Sequence, residues 1–122
     1  MEKPHKKLDV WKLSMDMVTD VYRITASFPS RETYGLTDQI RRAAVSVPSN
    51  ISEGAARQTK KEFINFLHIA QGSLSELDTQ LDIAVSLGYL DRAKRDESDV
   101  LLVRIDKMLY ALIRSLRESI RA

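Results

Sequence analysis

From Phe63 to Ala84 the apolar residues return every three or four positions: Phe63, Phe66, Leu67, Ala70, Leu74, Leu77, Leu81 and Ala84. That spacing gathers side chains on one side of an α-helix but scatters them over both faces of a strand. It therefore commits the stretch to a helix with one buried face. Its ends are written in the sequence too. Thr59-Lys60-Lys61-Glu62 has the form of a capping box, hydroxyl to the third amide and carboxylate back to the cap amide. Gly88 suits the left-handed residue that closes a helix. At roughly 28 residues and ~1.5 Å each, the helix would be ~40 Å long. Gly72 and Ser73 fall in its middle, where glycine alone costs about 1 kcal/mol in propensity. Their expected use is the close approach of a neighbouring helix.

Three further helices follow from the same period. The first is expected from about Asp9 to Ser27, with Asp9 as its N-cap. Trp11, Met15, Val18 and Tyr22 are its expected core stripe, and Val10, Met17, Val21 and Ile24 form a second apolar stripe beside it. So broad an apolar face suggests contact beyond its own bundle. Phe28-Pro29-Ser30 ends it, because proline disfavours helical geometry in the residue before it. The second helix is expected from an N-cap at Thr37, with Leu36, Ile40, Ala43, Ala44, Val47 and Ile51 facing the core. Pro48 falls inside that pattern and predicts a kink rather than a break, at about 3 kcal/mol unless the freed carbonyl finds another partner. Gly54 lets the helix loosen or end. The fourth runs from about Arg92, with Leu101, Ile105, Met108, Leu109, Leu112, Ile113, Leu116 and Ile120 inward. With only four glycines and three prolines, the chain is too poor in turn residues for an all-β fold. Short connections favour antiparallel neighbours. The expectation is an all-α, antiparallel up-down-up-down four-helix bundle with a kinked second helix. It forms a single domain over residues 1–122, the first eight a flexible arm.

Several classes of function find no support. There is no cysteine, which removes disulfides, thiolate metal sites and cysteine nucleophiles and fits a reducing cytoplasm. No apolar run nears the ~20 residues that span a bilayer, and MEKPHKKLDVW lacks the apolar segment of a secretory signal. The expected location is cytoplasmic, with no membrane partner. His5 falls in the arm. His68 lies nearly opposite the apolar stripe of the third helix, the place of a surface or interface histidine rather than a ligand. Glu53, Glu62 and Glu76 are the central glutamates and none heads an ExxH unit. HExxH, a glycine-rich phosphate loop and a nucleophile elbow are all missing. No catalytic residue, metal, cofactor or small-molecule substrate is expected, and the chain reads as a non-enzyme.

Charge is unevenly distributed. Residues 39–75 hold five basic and two acidic groups, 76–103 three and seven, and 104–122 five and two. In an up-down bundle the N-terminus, the turn between helices two and three, and the C-terminus share one end. Lys3, Lys6, Lys7, Arg57, Lys60, Lys61, Arg114, Arg117 and Arg121 should gather there. Asp82, Asp91, Asp96, Glu97 and Asp99, with Glu32 and Asp38 nearby, should gather at the other. Arg57, Lys60, Lys61, Arg114, Arg117 and Arg121, together with Arg41, are the candidate contacts to nucleic-acid backbone, because lysine and arginine neutralise phosphates without reading sequence. Neither a DNA-reading helix nor an aromatic RNA-stacking platform accompanies them. A second polar pattern, Gln39, Arg42, Ser46, Asn50, Glu53 and Arg57, runs along one flank of helix two. Rich in groups that make directed hydrogen bonds, it suggests a polar interface within a subunit, between subunits or with a ligand; a solvated face is the plainer alternative. Glu53 would pair with Arg42 or Arg57. Ile64, Ile69, Ile83 and Leu87 lie off the core stripe of helix three and favour self-association.

YGLTDQIRRA (34–43), SNISEGAAR (49–57), KKEFINFLHIAQGSLSELDTQL (60–81) and GYL (88–90), with DVW at Asp9–Trp11 and the Phe28-Pro29 pair, cover most of the chain. This pattern resembles the bacterial four-helix-bundle proteins encoded within intervening sequences of large-subunit ribosomal RNA genes. The accessory variability proteins of diversity-generating retroelements belong to the same superfamily. The resemblance implies a ring-shaped homopentamer with a central channel. From the retroelement relatives it also implies binding to RNA or DNA, or to a nucleic-acid-processing protein. The expected function is thus that of an oligomeric bundle holding nucleic-acid backbone or a nucleoprotein. The alternative is a protein–protein scaffold that binds no nucleic acid.

Overall fold

The computed structural model describes residues 3–122. They form four helices, α1 (Asp9–Thr25), α2 (Leu36–Ala55), α3 (Lys60–Ser86) and α4 (Arg92–Arg121), with short 3-10 turns at Pro4–Lys7 and Ser30–Glu32. No strand occurs among the described residues, and no helix is long and apolar enough to cross a membrane. Neighbouring helices approach closely from α1 to α2, α2 to α3, α3 to α4 and α4 back to α1, while the diagonal pairs bring no Cα atoms within 8 Å of each other. The helices therefore stand at the corners of a square. Contacts between neighbours run in opposite chain directions. Ser46 meets Ser73 while Gly54 meets Phe63 and Phe66, and Arg95 meets Asp78 while Arg117 meets His68.

The core is one cluster. Met17, Val21, Ile40, Val47, Ile51, Leu67, Leu77, Leu81, Ile105 and Leu109 are all sealed from solvent. In α1 the two apolar stripes exchange the roles expected of them. Val10, Met17 and Val21 are buried, while Met15 and Tyr22 are exposed and Trp11 and Val18 half-buried. Ser14 and Thr25 complete the buried stripe. Their hydroxyls donate to the carbonyls of Trp11 (2.7 Å) and Val21 (2.7 Å), so the helix itself satisfies them. Of the off-stripe residues in α3, Ile64 is buried, and Ile69, Ile83 and Leu87 are exposed.

Helix starts differ from expectation where local turns take over. Asp9 is the first helical residue of α1, not its cap; extended Leu8 holds that position (φ −81°, ψ 124°). Pro4–Lys7, expected as part of a flexible arm, instead packs on α1 and α2, with His5 edge-on to Trp11 at 5.0 Å; the first two residues of that arm lie outside the described residues. Nor is Thr37 a cap. Helix α2 begins after Gly35, and its Leu36 amide donates to the Glu32 carboxylate at 3.2 Å. A Cβ on Gly35 would stand 2.7 Å from that carboxylate oxygen. At the start of α3, Thr59 Oγ1 does accept from the Glu62 amide (3.1 Å), but the Glu62 carboxylate accepts from the Thr59 hydroxyl (2.8 Å) instead of the cap amide. Gly88 closes α3 at φ +79°, with the Tyr89 amide donating to Ala84 O at 2.9 Å.

Pro48 is buried within α2 and does not break it. Nearby side chains bond locally, Asn50 Nδ2 to Ser46 O (2.8 Å) and Ser52 Oγ to Ser49 O (2.9 Å). The expected close approach of helices at Gly72 is absent: a Cβ there would meet nothing within 4 Å. Gly54 has that role. Its Cβ would lie 2.7 Å from Phe66 Cβ and 2.9 Å from Phe63 Cδ1.

Candidate nucleic-acid interface

The start of α3 and the end of α4 lie side by side, because Lys60 Nζ donates to Ser119 Oγ. Further along α3, Arg117 Nη2 is 3.1 Å from His68 Nε2, and His68 Nδ1 is 3.1 Å from Gln71 Oε1. A guanidinium only donates, so Nε2 must accept; the ring proton then sits on Nδ1 and is given to Gln71. His68 thus positions an arginine at the bundle's end. Arg57, in the turn between α2 and α3, bonds Glu53 Oε1 at 3.0 Å and lies over the Phe66 ring at 4.8 Å. Arg114 pairs loosely with Glu118 at 3.4 Å. Lys61 and Arg121 are exposed and make no ion pair among the described residues. The packed turn Pro4–Lys7 brings exposed Lys3, Lys6 and Lys7 to this same end.

Six of the seven candidate backbone contacts, Arg57, Lys60, Lys61, Arg114, Arg117 and Arg121, therefore share one end. Arg41 does not. It lies near the start of α2, where Nε donates to Thr25 Oγ1 at 2.9 Å and Nη2 to Tyr22 O at 3.4 Å, with the guanidinium 4.4 Å above the Tyr22 ring. It pins α2 to the end of α1.

The flank of α2 divides into a centre and two ends. Ser46 Oγ and Ser73 Oγ are 2.8 Å apart, and Asn50 Nδ2 donates to Ser46 Oγ at 2.9 Å, all three half-buried in the α2–α3 contact of one chain. Gln39 is exposed, and Arg42 pairs with Asp38 at 2.8 Å on the surface. Glu53 selects Arg57 and not Arg42.

At the opposite end Arg95 of α4 is 3% exposed. Its Nε donates to Asp82 Oδ1 at 2.8 Å and its Nη2 to Asp78, while Nη1 lies 3.6 Å from Asp99 and makes no hydrogen bond. Burial alone would lower the guanidinium's pKa; the bonds to Asp82 and Asp78 outweigh it and hold the group above its ordinary value. Sequence reading gave Arg95 no role. The available signal was the four-residue spacing of Asp78 to Asp82 and of Arg95 to Asp99. Nearby, Tyr89 donates to Glu32 Oε2 at 2.9 Å. The Leu36 amide first, then Tyr89, hold that carboxyl below its usual range.

Residues 6–111 match the sequence profile of the 23S rRNA-intervening sequence proteins. The chain belongs to that family. A crystal structure of a protein with unknown function from the S23 ribosomal protein family, from Bacteroides thetaiotaomicron, superposes with a TM-score of 0.76. It covers 85% of this chain and 97% of its own at 23% identity, which establishes a common fold. No curated protein matches the sequence. Within this intervening-sequence family member, the basic end is formed from the α2–α3 turn, α3 and α4 together, so the fold itself assembles it.

Proposed function

We propose that this chain is a non-enzymatic, self-associating helical bundle that holds RNA or DNA backbone against its basic end. The gathering of Arg57, Lys60, Lys61, Arg114, Arg117 and Arg121 from two helices and the turn before α3, opposite an end rich in aspartate, carries the reading. Such a surface gains affinity by releasing counterions from phosphates and is indifferent to base sequence. Arg57 and Arg117 are already oriented by Glu53 and His68, so less side-chain freedom is lost on contact.

Binding of a labelled duplex at about 50 and about 200 mM salt tests this. If all six side chains reach phosphates, affinity falls about a thousandfold between the two. Lys61→Glu with Arg121→Glu should remove binding. Arg92→Glu with Lys94→Glu changes net charge equally at the other end and should leave it intact. A folded, self-associated wild type with no affinity at low salt defeats the reading and leaves a protein–protein scaffold.

A further inference from the structure

We infer that His68 is a further phosphate contact of the basic end, one that acts only when it gains a second proton, so that holding nucleic-acid backbone takes up a proton and tightens in acid. The inference rests on the basic-end reading proposed above and adds a contact and a regulation to it. The ring stands exposed on α3, with Nε2 3.1 Å from Arg117 Nη2 and Nδ1 3.1 Å from Gln71 Oε1. A guanidinium offers no lone pair, so Nε2 must accept, and only the neutral ring can do that. Histidine is also the side chain that ordinarily changes charge between about pH 5 and 8. A proton added at Nε2 turns that acceptor into a donor and sets two cations face to face across 3.1 Å. The bond to Gln71 survives, because Nδ1 donates in both states. The ring is therefore held in place while its charge changes.

Among the described residues no carboxylate oxygen comes within 4.0 Å of His68. On α4, Arg114 and Arg121 fall three before and four after Arg117, on the same helix face, and Glu118 is engaged by Arg114. Tyr110 and Asp106 lie further back along α4, Asp106 in the cleft with Asp78. On α3 itself, Lys61 precedes His68 by seven residues on the same side. The acids of α3 have other partners: Glu62 accepts from Thr59, Glu76 from Gln80 and Asp78 from Arg95. On the α2 side, Arg57, bonded to Glu53, lies over Phe66, two residues and about 200° of helix from His68. A second proton on His68 is thus opposed by Arg117 while the end is empty. A phosphate oxygen set between the two groups reverses this. It accepts from Nε2–H and from the guanidinium together, in two charge-assisted bonds. The ring takes one proton from solvent as the phosphate arrives and returns it as the phosphate leaves. By linkage, affinity then rises as pH falls, by up to about tenfold per pH unit for one proton.

Affinity for a labelled duplex at about pH 8 and about pH 6 tests this, since neither a phosphodiester nor an ordinary carboxylate changes charge between them. Wild type should bind about tenfold tighter at the lower pH. Its slope of log affinity against log salt should steepen by about 0.9, the mark of one more phosphate contact. His68→Gln keeps an acceptor for Arg117 but has no proton to gain, and should lose both changes. His5→Gln removes the other histidine of the chain and should keep them. Calorimetry in two buffers of different protonation enthalpy should show proton uptake by wild type and none by His68→Gln. Nitrogen NMR spectra of the free protein at about pH 8 should show His68 protonated at Nδ1, with no nucleic acid present. A proton on Nε2 there, affinity that ignores pH, or acid tightening that survives His68→Gln overturns the inference and leaves the basic end standing. No binding at either pH removes the basic-end reading and the inference with it.

Discussion

A Cβ built on Gly54 would stand 2.7 Å from Phe66 Cβ and 3.3 Å from the Phe63 carbonyl, whereas one on Gly72 would meet nothing within 4 Å. Alanine favours a helix interior over glycine by about 1 kcal/mol in either place. At Gly72 nothing opposes that gain, so Gly72→Ala should raise the free energy of unfolding in denaturant melts by up to about 1 kcal/mol. At Gly54 the α2–α3 contact must open, and overpacking of about 1–3 kcal/mol should make Gly54→Ala a net loss. Equal effects from the two substitutions would disprove the close approach. Glu32 offers a test by pH. Its carboxylate accepts from the Leu36 amide and from Tyr89, so its pKa is depressed when folded below the ordinary 4.5. A depressed carboxylate adds stability that is complete above the unfolded value and is lost as pH falls through the folded one. The melting temperature of Glu32→Gln should therefore lie below wild type at neutral pH, and the gap should close on acidification below 4.5. A gap that persists unchanged in acid would show that the charge is not what stabilises the turn.

Among the elements, α3 and α4 share one buried charged side chain, Arg95. Arg95 reaches Asp78 and Asp82 on α3 and Asp99 on its own helix. Arg95→Met keeps much of the volume but leaves three carboxylates facing one another. Because those carboxylates are half-exposed, water softens the loss. It should be about 2–3 kcal/mol, less than the ~3–5 of a wholly buried pair, read as a lower midpoint with an unchanged denaturant slope. The four-residue spacings showed which carboxylates share a helix face, but not that Arg95 reaches them, because Asp82 and Asp78 lie 13 and 17 residues away on another helix. The α1 stripes misled for a different reason. Two apolar rows one residue apart fit the period equally well, and the buried one carries Ser14 and Thr25, whose hydroxyls bond their own helix. A polar residue thus gave no sign of burial. Arg41 resembled a free cation until Thr25 and Tyr22 arrived from α1. The long helix α3 and the cluster at the basic end were legible, since period, cap and chain direction fix them without distant partners.

At the scale of the molecule, charge is sorted by end and apolar surface by side. Arg57, Lys60, Lys61, Arg117 and Arg121 crowd one end, while the apolar seams run along the α1–α2 and α3–α4 sides. Self-association through these sides, as proposed for this chain, would multiply the ends without covering them. Several basic ends on one particle engage more phosphates than one end can, and each added phosphate steepens the salt dependence by about 0.9 in log–log slope on duplex DNA. Val103→Glu should separate the two properties, since Val103 lines the α3–α4 cleft with Asp99 and Asp106 and is no part of the basic cluster. As a folded monomer it should still bind the duplex, with lower affinity and a shallower slope of log affinity against log salt than the wild-type assembly. A variant that is monomeric yet keeps the wild-type slope would mean that one subunit makes every phosphate contact, and assembly would then have to serve some purpose other than binding.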